Sequence, residues 1–168
     1  VILGAMLRRV SLKPVDGAWT LDMATLLAAI TPATKLLIVN APNNPTGWTL
    51  TRAEQQTIMN HCRKTGTWIL ADEVYERLYY AGGINNSCAP SFLDVANPDD
   101  RLVVAHSFSK SFLMTGWRLG WMVLPRGHLT AVGTLIEFNT SCAPVFAQRG
   151  ALAAVQSAAQ SVLPLIAH

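Results

Sequence analysis

The chain has 168 residues, 51% of them hydrophobic, enough for one domain with a real core and too apolar for a disordered chain. Its 13 basic and 10 acidic residues leave a net charge of only +3. The basic residues are scattered, with adjacent pairs only at Arg8-Arg9 and Arg63-Lys64, so no nucleic-acid-binding stripe is legible.

Taken in chain order, apolar runs alternate with helical patterns. Met6–Leu12 reads as a strand and Leu21–Ile30 as a helix, with Thr20 as its cap. Lys35–Asn40 reads as a buried strand. Thr51-Arg52-Ala53-Glu54 is a capping box that opens a helix running to about Lys64, and Gly66 ends it. Thr67–Ala71 is the next strand. Gly82 to Asp100, rich in Gly, Asn, Pro and Ser, reads as a loop. Arg101–Ala105 and Leu119–Leu124 read as strands, and Arg126–Asn139 and Val145–Val162 as helices. Strand–helix alternation predicts an α/β layer fold: a mostly parallel sheet with flanking helices.

In such sheets ligands collect at the carboxyl ends of the strands. Asn44, Asp72 and the stretch Ser107-Phe108-Ser109-Lys110 each follow a predicted strand, so three unrelated chemical groups are expected at one sheet edge. Each has an ordinary reading by itself: Lys110 and Arg118 as surface cations, Asp72 as a cap, Asn44-Pro45-Thr46-Gly47 as a turn. Together they suit one task, holding pyridoxal 5'-phosphate (PLP) as an electron sink. Lys110, between small hydroxyl residues and apolar Phe112-Leu113-Met114, suits a Schiff-base amine in a partly desolvated site. Asp72 follows an apolar strand and needs a partner, which a protonated pyridine nitrogen would supply. Glu73 is the rival carboxylate. Asp72 is preferred because Tyr75, three residues on, is then placed for the same ring's phenolic oxygen, to which the Asn44 amide is also expected to donate. Ser107, Ser109 and Arg118 form a candidate phosphate cup. No glycine-rich phosphate loop competes with it.

The remaining motifs carry less. His61, His106, His128 and His168 lack metal-ligand spacing, so no metal is assigned. Three cysteines, Cys62, Cys88 and Cys142, share no close spacing and fit a reducing compartment such as the cytoplasm. No signal-peptide or transmembrane pattern is legible.

Asn40-Ala41-Pro42-Asn43-Asn44-Pro45-Thr46-Gly47, Asp72-Glu73-Val74-Tyr75, Ser107-Phe108-Ser109-Lys110 and Gly116-Trp117-Arg118-Leu119-Gly120 resemble, in order and spacing, the class I/II aminotransferases, PLP enzymes of fold type I. The resemblance runs from about Gly4 to Gln156. It implies amino-group transfer from an amino acid to a 2-oxo acid through a Schiff base on Lys110. Lys110, Asp72 and Tyr75 would be the catalytic residues, and Asn44, Ser107, Ser109 and Arg118 would complete the cofactor site. It also implies a cis Asn44–Pro45 bond and a homodimer. Residues 1–168 would be the central part of the PLP-binding large domain, with an upstream segment and the small domain absent from this chain. The dicarboxylate-specific subgroup places an arginine where Ile136-Glu137-Phe138-Asn139 stands, which argues against that substrate class. Two alternatives stay open: another fold-type-I PLP reaction, such as C–S lysis or elimination, and the aminotransferase-like domain of a transcription regulator. The complete Asn43-Asn44-Pro45-Thr46-Gly47 disfavours the regulator.

Overall fold

The computed structural model describes residues 4–80 and 88–161, the last four by backbone alone. A four-stranded sheet organises the chain. Its strands, in spatial order, are β3 (Leu36–Asn40), β4 (Trp68–Asp72), β5 (Leu102–Ser107) and β6 (Gly120–Val123). β3, β4 and β5 are parallel, and β6 runs antiparallel to β5. The expected mostly parallel α/β architecture is thus present, and each of these strands lies within about two residues of its predicted bounds.

Between β3 and β4 the chain crosses over through α2 (Arg52–Thr65). Thr51 caps this helix: its hydroxyl accepts from the Glu54 amide, and Glu54 returns the bond to the Thr51 amide. Gly66 closes the other end in the left-handed region, φ 72°, which suits a residue without a Cβ. Gln55, Ile58, Met59 and Cys62 recur at helical spacing and are buried against the sheet. With Leu50, Ile69, Ala71, Phe92, Leu102 and Val104 they form the main core. Burial pushes the Cys62 thiol up to about 11, which keeps it an inert core group. A smaller cluster of Phe108, Phe112, Met114 and Ala151 joins the segment after β5 to a helix. Its helical side comes from α5 (Val145–Ser161), while α4 (Leu129–Thr140) buries none of its residues.

The amino-terminal part departs from expectation. Met6–Leu12 has no regular structure, and Met6 is 98% exposed. The hairpin lies just after it: β1 (Lys13–Val15) pairs antiparallel with β2 (Ala18–Thr20) around Asp16 and Gly17, both at positive φ. An Asp-Gly turn of this kind is the stronger hairpin signal, and Arg8-Arg9 interrupts the earlier apolar run. Helix α1 (Met23–Ala29) begins two residues later than predicted, because Asp22 caps it by accepting from the Thr25 amide. Within the loop predicted over Gly82–Asp100, residues 82–87 lie outside the described residues, and Phe92–Asp94 forms a 3₁₀ turn.

Candidate active site

The parallel register puts Asn40 beside Asp72, and Asp72 beside Ala105, at the carboxyl edge of the sheet. From that edge three loops emerge. Asn40 organises the first. Its amide donates to the Asp72 carbonyl at 3.3 Å, and its side-chain oxygen accepts from the Asn43 side chain and the Asn44 backbone. Asn43 is consumed inside the turn, where it also accepts from the Thr46 hydroxyl. Asn44 is left to reach outward, and its Nδ2 donates to the Tyr75 hydroxyl at 3.0 Å. The Asn44–Pro45 bond is cis, as the resemblance implied, and so is Ala41–Pro42, which sequence reasoning did not anticipate.

The second loop follows β4. Half-buried Asp72 sits at the strand end, and among the described residues its carboxylate accepts only from the Val74 amide, at 3.4 Å. Glu73 is different. It is 3% exposed, and it accepts from the Ser91 hydroxyl at 2.6 Å and from the Phe92 amide at 2.8 Å. Burial pushes its carboxyl up, while those two donors pull the other way. Glu73 therefore anchors the loop beneath the sheet edge, and Asp72 keeps its acceptor capacity available.

The third loop follows β5 and carries a single helical turn, α3 (Phe108–Ser111). Ser107 caps it by accepting from the Ser109 amide at 3.0 Å. Lys110 Nζ lies 5.7 Å from the centroid of the Tyr75 ring, and among the described residues it makes no hydrogen bond or ion pair. The chain then turns back through a 3₁₀ turn at Thr115–Trp117 into β6. Arg118, in the left-handed region at φ 54°, donates to the Thr115 carbonyl at 3.0 Å and approaches the Ser109 hydroxyl at 3.5 Å. Gly120 permits this return: a Cβ there would stand 2.5 Å from the His106 carbonyl oxygen.

The predicted residues thus fall into two touching groups, Asn44–Tyr75–Lys110 and Ser107–Ser109–Arg118, with Asp72 at the root of the second loop. Sequence reasoning missed Asn40, which fixes the first turn, and Glu76 and Ser111, which tie the second loop to the third. A polar residue ending an apolar strand was the available signal for Asn40. A cavity of about 230 Å³ lies elsewhere, at the amino ends of β4 and β5, lined by Cys62, Arg63, Thr67 and Arg101 among others.

Comparison with known proteins decides the family. The profile of the family "Aminotransferase class I and II" matches residues 2–163. The chain belongs to the class I and II aminotransferases. Among relatives of this aminotransferase chain, the aspartate aminotransferase of Thermotoga maritima is 37% identical over 73% of the chain and 31% of its own length. The aromatic-amino-acid aminotransferase 2 of Thermococcus litoralis is 34% identical over 86% of the chain and 38% of its own. Among solved structures, the N-succinyldiaminopimelate aminotransferase of Mycobacterium tuberculosis superposes with a TM-score of 0.77 at 28% identity, over 93% of this chain and 38% of that one. This aminotransferase chain spans about a third of the length of the relatives it matches.

Proposed function

We propose that this chain forms the central, cofactor-binding part of the large domain of a PLP-dependent aminotransferase, which moves an amino group from an amino acid to a 2-oxo acid. The observation that carries the reading is the meeting of Asn44, Tyr75 and Lys110, from three separate loops, at one edge of the sheet. Family membership supports it.

The residues present fit the cofactor. The Asn44 amide and the Tyr75 hydroxyl would hold its phenolic oxygen. Asp72, whose carboxylate takes one long hydrogen bond among the described residues, would face the ring nitrogen. Arg118 and the hydroxyls of Ser107 and Ser109 would hold the phosphate, the guanidinium gripping two oxygens at once. Lys110, whose amine makes no hydrogen bond or ion pair among the described residues, would be the covalent attachment point. When bound, PLP supplies a carbonyl that takes up an amino group and a ring that withdraws electrons. Lys110, once displaced by the substrate amine, would take the proton from the substrate α-carbon as a base and return it as an acid. The Asp72 carboxylate would keep the ring nitrogen protonated.

The relatives' names span aspartate, aromatic amino acids, valine and kynurenine, so an amino acid and a 2-oxo acid are the substrate classes assigned. Free cysteines at 62, 88 and 142 support a reducing, cytoplasmic setting. The exposed apolar faces of α4 and α5 support a homodimer.

The test is chemical. Purified protein incubated with PLP should develop the absorption of a lysine-bound cofactor, and borohydride should fix the adduct on Lys110. Lys110→Ala should abolish both. An adduct mapped to Lys35 or Lys64 would overturn the assignment.

A further inference from the structure

Tyr75, Glu76 and Arg77 leave β4 in a turn that runs alongside α3. Each meets one of three successive residues there, in the same order. Lys110 Nζ lies 5.7 Å from the Tyr75 ring centroid, the Ser111 hydroxyl donates to Glu76 Oε1 at 3.0 Å, and the Arg77 guanidinium lies 5.5 Å from the Phe112 ring centroid. Only the middle contact is a directed hydrogen bond. Ser111 is fully buried and the Glu76 side chain is 13% exposed, so losing either partner strands a polar group away from water. The other Glu76 oxygen faces His106 Nδ1 at 3.9 Å, and neither atom has a hydrogen-bond partner among the described residues. His106 immediately precedes Ser107 and stacks on Trp121, with centroids 4.9 Å apart. A four-residue turn has almost no helical stability of its own, so side-chain ties decide where it sits.

We propose that Glu76 is a positioning residue for Lys110. It binds the turn that carries the amine to the loop that carries Tyr75, through Ser111 on one side and against His106 on the other. The proposal rests on the reading of Lys110 as the attachment point of PLP. Glu76 touches neither reactant; it fixes the distance between the Lys110 amine and the groups that would hold the cofactor ring. What matters is the hydrogen-bonding shape of the carboxylate more than its charge.

The test follows covalent attachment of PLP to Lys110 in the purified protein, by absorbance growth and by borohydride trapping with peptide mass analysis. Urea unfolding is measured in parallel. Glu76→Ala should slow attachment roughly ten- to a hundredfold, the scale of a small misplacement of a reacting group. Ser111→Ala should do the same, and the double variant should be no slower than either, because both act through one bond. Glu76→Gln keeps an oxygen for Ser111 and gains a donor for His106, so it should attach PLP close to the unmodified rate. Additive slowing, or Glu76→Gln behaving as Glu76→Ala, would overturn the proposal. So would a normal attachment rate in Glu76→Ala with only its unfolding midpoint lowered. Should Glu76→Ala fail to fold, a normal rate in Ser111→Ala overturns it equally. Failure of the underlying reading looks different: the unmodified protein would then take no PLP on Lys110.

Discussion

Two adjacent carboxylates stand where β4 ends, Asp72 as its last residue and Glu73 just after it, in different surroundings. Glu73 is enclosed and accepts from Ser91 and Phe92, whereas the Asp72 carboxylate takes one long bond among the described residues. On the proposed function, Asp72→Ala should therefore slow the amino-transfer half-reaction about a hundred- to a thousandfold, the range for losing one preorganised electrostatic contact, while unfolding barely changes. Glu73→Ala should show the opposite pattern. It strands the buried Phe92 amide and the Ser91 hydroxyl, at a cost of about 1–3 kcal/mol in urea unfolding. Single-turnover rates measured beside unfolding midpoints separate the two, and equal rate losses would mean the wrong carboxylate was chosen. The sequence made this choice legible only in part. Spacing to Tyr75 favoured Asp72, but the hydrogen bonding of Glu73 depends on Ser91, 18 residues away, which no local pattern connects to it. The place of Asn44 at the sheet edge was legible because its turn follows the apolar strand that ends at Asn40. Glu76 was not, since its partner Ser111 lies 35 residues on and carries no signal of its own.

Elements with strong local signals stand where the sequence puts them. The capping box at Thr51 and the glycine at 66 define α2 because both ends are set by neighbouring residues. The Met6–Leu12 run had only hydrophobicity in its favour, and without a partner strand that specifies nothing. Contacts between elements give two further predictions. Gly150 of α5 lies against the 3₁₀ turn before Arg118, and a Cβ there would stand 2.4 Å from the Trp117 ring. Gly150→Ala should push the half-exposed Trp117 ring aside and shift its fluorescence, while the gain in helix propensity of about 1 kcal/mol offsets the cost of moving it. An unchanged emission spectrum would show that the ring does not rest against α5. At the other end of the sheet, Arg63 of α2 grips Asp100 through two bonds, at 2.9 and 2.6 Å. The Arg63 guanidinium, helped by the Asn97 amide, holds the Asp100 carboxyl below the ordinary carboxylate range, against a burial effect of opposite sign. A depressed folded value means the bond stabilises above the ordinary value of about 3.9 and fades as pH falls through the folded value below it. Asp100→Asn should thus lose about 1 kcal/mol at neutral pH, and the gap to the unmodified protein should close in acid. A gap independent of pH would assign the loss to packing instead.

At the scale of the whole molecule, apolar surface is distributed unevenly. Leu135 and Phe138 on α4, Phe146 and Leu152 on α5, and Ile38 on the edge strand β3 are all more than half exposed. The 168-residue chain by itself should therefore self-associate, and Phe138→Lys should shift sedimentation toward smaller species. Monodisperse monomer in the unmodified chain would refute this. The sheet topology also sets the order in which the site comes together. Ser107, Ser109, Lys110 and Arg118 lie in one short stretch, closed by the antiparallel return of β6 onto β5. Asn44 and Tyr75 meet across a separation of 31 residues and need the crossover through α2 to be in place. Short loops close at lower entropic cost and sooner than long ones. In a refolding experiment with pulsed hydrogen exchange, the Phe108 amide, bonded to the Leu119 carbonyl, should gain protection before the Ala41 amide, bonded to the Asp72 carbonyl. The reverse order would show that the crossover nucleates the fold. On the expected order, the stretch that would grip an anion is born first, and the pair that would steady an aromatic ring is added to it.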